Sequence, residues 1–352
     1  MKGKITTAVA IGSLAIWYGM GTRQTAVSAQ AVPDMSQMTP AEHVAYMAAM
    51  GNAHAEHALM DMATMGIQAA AAVPVPQNLM LPPDDMGAAA RLAASPRRGQ
   101  QVTVNVNGTQ LILWVVSPQG GGRHPVVVVI HDVNAMGDWP RAVGDQLAAE
   151  GFIAVVPDLI SGKGPNGGGT ASFPDQMAIR NAILTLTPED ITAKLNAARD
   201  YGLKLPNANG KSGVIGFCFG GNQSFAFAVA QPALNVSVVY YGQPPTDVVV
   251  AGAAPGAPPP GGPAFVPSDR VSNIKAPVLA FYGGLMQDPR VTGTEPQTTA
   301  KMKALGKTFE PHIMDGATHG FLRNQGGGNG ANLTATQTAW PLTISWLKKY
   351  TS

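Results

Sequence analysis

Charge and cysteine are what this chain has least of. Asp, Glu, Lys and Arg make up 12% of its 352 residues, about half the usual share. The net charge is only +2, so no nucleic-acid footprint is visible. A single cysteine, Cys218, excludes an internal disulfide. Glycine and proline are abundant instead, at 41 and 29 residues, and point to long irregular stretches. The length suits one large domain with additional segments.

The start of the chain has the layout of an export signal. Lys2 and Lys4 form a short basic head, Ile5 to Met20 is an apolar run, and Ala29-Gln30-Ala31 is an A-x-A-like cleavage site. Residues 1–31 are therefore expected to be a signal peptide, with an uncleaved anchor as the alternative. The mature protein would begin near Val32 and be periplasmic or secreted, touching a membrane only through that signal. A lone thiol retained in an oxidising compartment calls for a reason.

Residues 32–93 form a Met/Ala-rich extension and linker. Thr39-Pro40-Ala41-Glu42 has the cap, proline and acidic residue of a helix start. His43, Met47, Met50, His54 and His57 follow at steps of 4, 3, 4 and 3, on one face of that helix. Imidazole and thioether ligands suit Cu(I), and methionine is also adaptable apolar filler. Ala69 to Ala93, with several prolines, reads as linker.

From Gln101 onward, short apolar runs alternate with helical patterns. Strands are expected at Thr103–Val106, Leu111–Val116, Pro125–His131, Phe152–Pro157, Gly213–Phe217, Val236–Tyr241, Val278–Tyr282 and Phe309–Met314. Helices are expected at Asp138–Glu150, Thr187–Tyr201, Gly221–Ala230, Glu295–Leu305 and Thr336–Tyr350. This alternation defines an α/β fold with a doubly wound, mostly parallel sheet over residues 94–352. Gly-rich Ser161–Gly169 and the Pro/Gly/Ala run 244–267 interrupt it, either as pocket rims or as insertions.

Cys218 sits in Gly216-Phe217-Cys218-Phe219-Gly220-Gly221, between a strand and a helix. This is the layout of the α/β-hydrolase nucleophile elbow, with cysteine in place of serine. The turn needs small residues on both sides, and it aims the following helix N-terminus at the reacting atom, favouring a thiolate. The other reading is a small buried core cysteine. A nucleophilic thiol needs a base, and the base an orienting acid, which in this fold follow in the order acid, then histidine. Only His312 and His319 lie beyond Cys218. His312 is mid-strand, where its ring is expected among apolar residues, whereas His319 follows the strand. Acid candidates are Asp247, Asp269, Asp288, Glu295, Glu310 and Asp315. Asp288 stands just after Phe281-Tyr282-Gly283-Gly284 and is taken as the orienting acid. The backbone N–H groups of Phe219 and of Val133, beside Asp132, are the candidate oxyanion hole.

On these residues the chain resembles the dienelactone hydrolase family. The matching pieces are Val129-Ile130-His131-Asp132, Asp138-Trp139-Pro140-Arg141, Gly151-Phe152, Pro157-Asp158-Leu159, Gly213 to Gly221, Phe281 to Gly284 with Asp288, and Ala317-Thr318-His319-Gly320-Phe321. The resemblance implies a Cys218, His319, Asp288 triad, no cofactor or resident metal, and a small-molecule ester or enol lactone as substrate. It implies that Asp132, where the family has glutamate, is the thiol-holding carboxylate. Arg323 matches an arginine that binds a substrate carboxylate, and Arg180 is a weaker counterpart of a second one. The expected function is that of an exported ester or lactone hydrolase. A soft-metal binding protein on a hydrolase scaffold and a catalytically inactive binding protein are the alternatives.

Overall fold

The computed structural model describes residues 78–246 and 266–352. The expected signal, the Met/His helix with His43, Met47, Met50, His54 and His57, and most of the Pro/Gly run lie outside the described residues.

Eight strands make one sheet in the order β1-β2-β4-β3-β5-β6-β7-β8. They are β1 (Gln100–Val106), β2 (Thr109–Val116), β3 (His124–Ile130), β4 (Ile153–Pro157), β5 (Ala208–Phe217), β6 (Val236–Tyr240), β7 (Val278–Gly283) and β8 (Phe309–Met314). β1 and β2 are antiparallel and join through Asn107-Gly108, both at positive φ, as a tight hairpin turn requires. β2 meets β4 antiparallel, and every pairing from β4 across to β8 is parallel. The continuous apolar run Val126 to Ile130 is wholly buried, because a central parallel strand is covered on both faces.

The covering helices are α1 (Ala88–Ala94), α2 (Asp138–Ala149), α3 (Gln176–Leu184), α4 (Pro188–Leu203), α5 (Phe219–Ala230), α6 (Pro289–Thr292), α7 (Glu295–Ala304) and α8 (Ala331–Thr351). The Thr187 side chain caps α4 by accepting from Asp190 N–H at 3.2 Å, with Pro188 at the first helical position, as its sequence signature indicates.

Four differences from the sequence reading stand out. α3 was not anticipated; it starts at the Asp175 side chain, which accepts from Ala178 N–H at 2.8 Å. α8 begins five residues before Thr336 and carries Pro341 in its interior. His312 stacks its ring on buried Phe281, with centroids 5.4 Å apart, as expected of a ring among apolar residues, but only on one side. β8 is an edge strand, and the ring is half-buried, with Nε2 3.0 Å from Glu310 Oε1. The part of the expected linker that lies among the described residues, from Asn78, is tied to the domain. Leu81 is buried, Trp139 Nε1–H donates to Pro83 O at 3.1 Å, and Gln325 Nε2 donates to Pro82 O at 2.9 Å. Arg91 on α1 donates to Gln146 on α2 at 3.2 Å. Residues 78–94 thus form a strap across α2 and the loop after β8.

The sheet and α5 meet backbone to backbone. A Cβ on Gly216 would lie 1.9 Å from Gly220 O, and one on Gly220 would lie 2.3 Å from Ile130 O and 2.5 Å from His131 O. Neither neighbour can yield without moving α5 or the end of β3. Gly220→Ala is therefore expected to cost on the order of 3 kcal/mol, read as a lower urea midpoint. A midpoint equal to wild type would show that the close approach does not constrain the fold.

Candidate active site

The site is assembled at the C-terminal edge of the parallel strands, where open α/β sheets bind ligands. Cys218 is the single residue between β5 and α5, with φ 57° and ψ −117°. Such a backbone costs a non-glycine residue on the order of 1–3 kcal/mol and persists only where its surroundings enforce it. Here they do: Cys218 N–H donates to Tyr240 O at 3.1 Å, and Cys218 O accepts from Asn222 N–H at 3.1 Å. The side chain is 5% exposed and ends at the first turn of α5.

β7 and β8 deliver the other two groups. Asp288, 2% exposed, follows β7, and its backbone N–H donates to Gly284 O at 2.8 Å. His319 follows β8 and is 6% exposed. Its Nδ1 lies 2.9 Å from Asp288 Oδ2, which leaves Nε2 for the thiol, whose charge acts on the ring. Burial alone would push the His319 imidazole down. The charges of Asp288 and Cys218, with the hydrogen bond that Asp288 accepts, overcome burial and hold the ring well above its ordinary value. His319 thus stands between the Asp288 carboxylate and the electrostatic reach of Cys218.

Asp132 follows β3, but its carboxylate is turned to other partners than the thiol. Oδ1 accepts from Asn134 N–H at 2.8 Å, and Oδ2 pairs with Arg323 Nη1 at 2.5 Å. The short side chain favours this arrangement: an aspartate readily accepts from the backbone two residues on, whereas a glutamate's extra methylene carries it past that bond. Burial would raise the Asp132 carboxyl, and the Arg323 charge more than offsets this and holds it below its ordinary value. Val133 is buried on the same loop, and Phe219 opens α5. Arg180, 5% exposed, donates through Nη2 to Asn134 Oδ1 at 3.1 Å, at the far side of the loop.

His131 holds that loop from beneath. Leu159 N–H donates to Nε2 at 3.2 Å, so Nδ1 carries the proton and donates to Asp132 O at 2.8 Å. Burial pushes this ring down, in keeping with a neutral imidazole that ties β3 to the end of β4.

Two participants were not singled out from sequence. Tyr241, at φ 40° just past β6, packs its ring 5.0 Å from that of His319. Its hydroxyl is buried without a hydrogen-bond partner. Burial raises the phenol well above its ordinary value, and the charges of Asp132 and Cys218 add to this, so the group stays a neutral donor. Strain at a bulky residue, visible only in the structure, is the signal that marks it. The second is Asp85 on the strap, whose Oδ1 lies 2.8 Å from Arg323 Nη2. A cavity of about 300 Å³ lies nearby, lined by residues including Ile112, Met136, Asp158 and Thr170. None of the Cys218 cluster lines it, and the chemistry belongs to the cluster.

A mostly parallel sheet with a strained residue at the strand-to-helix turn defines an α/β-hydrolase. The chain belongs to the dienelactone hydrolase family, whose model matches residues 113–351. It is similar to a protein of Escherichia coli O157:H7 provisionally named a carboxymethylenebutenolidase, with 24% identity over 66% of this chain and 79% of the relative. A Bradyrhizobium protein provisionally named a 2-oxo-3-(5-oxofuran-2-ylidene)propanoate lactonase is 26% identical over 70% of this chain and 92% of its own length. Among solved structures, a dienelactone hydrolase-type protein of Klebsiella pneumoniae superposes with a TM-score of 0.57 at 18% identity, covering 73% of this chain and all of that one. The Anabaena variabilis dienelactone hydrolase gives 0.51 at 19% identity, with the same coverage.

The raised His319 ring sets the sign of a pH effect. Its pairing stabilises the fold fully below about pH 6.5, the ordinary histidine value, and the contribution is lost as pH rises through the higher folded value. The difference in unfolding free energy between wild type and Asp288→Asn, measured in urea across pH 5–10, is expected to be largest at the acid end and to shrink toward the alkaline end. A difference that stays constant across the range would mean that Asp288 does not carry the His319 charge.

Proposed function

We propose that this chain hydrolyses a small carboxylic ester or lactone by covalent catalysis at Cys218. The observation that carries this reading is the chain of contacts from Asp288 through the His319 ring to a thiol on a strained turn. Cys218 Sγ attacks the substrate carbonyl carbon as a thiolate, a C–S bond forms, and the carbonyl electron pair moves to oxygen. The Phe219 and Val133 N–H groups are assigned to that oxyanion. The tetrahedral species collapses, the C–O bond to the leaving oxygen breaks, and that oxygen takes a proton from His319 Nε2. A water then gives its proton to Nε2 and attacks the thioester, releasing the acid and restoring the thiolate. Asp288 orients the ring and balances the imidazolium throughout. In a lactone the leaving oxygen stays tethered, so one ring-opened product results.

Family membership supports hydrolase chemistry, and the name of the Bradyrhizobium relative supports a lactone. Asp132 is assigned a role through Arg323 and the loop that carries Val133, rather than a direct hold on the thiol. Cys218→Ala is expected to lower kcat/KM for p-nitrophenyl acetate by at least about 10³-fold while leaving the folded state intact. Turnover near wild type would remove Cys218 from the mechanism.

The basic head, the apolar run Ile5–Met20 and Ala29-Gln30-Ala31 support export to the periplasm or beyond. Among the described residues no helix is long and apolar enough to cross a membrane. Intact-mass measurement of the protein from the periplasmic fraction of an expressing bacterium is expected to give an N-terminus near Val32. Full-length protein confined to the cytoplasm would refute export.

A further inference from the structure

Arg323 is the guanidinium that stands at the site. It lies four residues after His319, and its N–H donates to Gly320 O at 3.0 Å. Its charge is felt at Tyr241 together with those of Asp132 and Cys218. A guanidinium in such a place would ordinarily draw a carboxylate into bidentate contact. In this chain its fork is already filled from two directions. Nη1 holds Asp132 and Nη2 holds Asp85 at 2.8 Å. The guanidinium carbon also lies 5.6 Å from the centroid of the Trp139 ring, so one face is covered as well. One cation between two anions leaves this corner with a net negative charge, while the His319 ring balances one of the two negative groups beside it, the Asp288 carboxylate and the thiolate form of Cys218. Arg180, the other guanidinium on this rim, is buried and donates to Asn134.

Asp85 is not part of the hydrolase core. It precedes the family-matched residues 113–351 and reaches Arg323 because the strap is fixed on both sides of it. Pro82 O and Pro83 O accept from Gln325 and Trp139, Asp85 N–H donates to Arg323 O at 2.9 Å, and α1 follows at Ala88. The carboxylate is thus delivered by backbone geometry, with main chain and side chain of Asp85 both engaging the same arginine.

We propose that Asp85 is a specificity-determining residue: by occupying Arg323 it closes the site to substrates with a carboxylate near the scissile carbonyl and leaves it selective for uncharged esters or lactones. This rests on the hydrolase reading of Cys218 for its kinetic consequence, but the electrostatics stand without it.

Two measurements test it separately. The ratio of kcat/KM for an anionic ester, mono-p-nitrophenyl glutarate, to that for neutral p-nitrophenyl butyrate is expected to be low in wild type. It should rise at least about tenfold in Asp85→Asn through KM for the anion, the rise should shrink in added salt, and Asp85→Glu should return it toward wild type. Calorimetric titration of glutarate, which has no scissile bond, into each protein is expected to show binding at least tenfold tighter to Asp85→Asn. A ratio and a glutarate affinity that both stay unchanged in a folded Asp85→Asn protein would overturn the proposal. Absence of ester turnover in all proteins with tighter glutarate binding in the variant would instead refute the hydrolase reading and leave the role of Asp85 standing.

Discussion

The close approach of two backbones sets up everything else at this site. Gly216 and Gly220 let the strand-to-helix turn fold onto itself, and Gly220 presses against the carbonyls of Ile130 and His131 at the end of β3. That contact fixes the height of Cys218 relative to the β3 loop, and hence the relation between the thiol and the Val133 and Phe219 amides. It also leaves Cys218 with no ordinary backbone conformation to adopt. The strain at φ 57° is local, whereas the restraint against relaxing it is distributed over β3, β5 and α5. A side chain as small as methyl at Gly216 would push α5 away from β5, and one at Gly220 would push α5 away from the end of β3. The turn is therefore fixed by exclusion of volume more than by any attractive contact.

Charge is scarce in this chain, and two small clusters of it stand beside the turn. His319 and Asp288 form a buried pair at 6% and 1% side-chain exposure, where a charge left unpaired would be costly. Asp132 and Arg323 form a second, and Asp85 completes it from the strap. The two clusters have different supports. The first hangs on loops after β7 and β8, within the sheet architecture. The second joins the β3 loop, the loop after β8 and a segment that precedes the sheet altogether. His131 underlies the second by a purely neutral device, one ring nitrogen accepting from Leu159 and the other donating to Asp132 O. A charged imidazole there could not accept from Leu159.

How much of this could be read from the sequence follows from how local each signal is. The eight strands were legible because central strands are continuous Val/Ile runs, and Cys218 because the turn demands glycines at fixed offsets. His319 and Asp288 were legible because the fold orders its strands, so that position along the chain stands in for position in space. The apolar contact of His312 with Phe281 follows from strand membership, whereas its half-exposure does not, because strand membership does not reveal that β8 is an edge. The prolines of the strap argue against regular structure and so point to linker. They are in fact anchors, with Pro82 O and Pro83 O accepting side-chain donors. Tyr241 and Asp85 could not be found from periodicity or motif, since one is marked by backbone strain and the other by a partner 238 residues away in the chain.

The change of one acid at position 132 links these observations. A glutamate could reach across the site, whereas an aspartate closes on Asn134 N–H and meets the guanidinium at short range. Once Asp132 is bound in that way, Arg323 retains a second edge, and an unfilled edge beside a negative thiolate would attract any small anion. Asp85 fills it, and because Asp85 N–H also bonds Arg323 O, the pairing is held in place even though its carboxylate is half exposed and screened by water. The energy of that ion pair is small, but the selectivity it imposes does not depend on its strength in isolation. An incoming carboxylate must displace a tethered one, and the tether gives the resident group an effective concentration that a free ligand does not have. On this reading the strap is part of the substrate site, and the chemistry at Cys218 is tuned from outside the sheet that carries it.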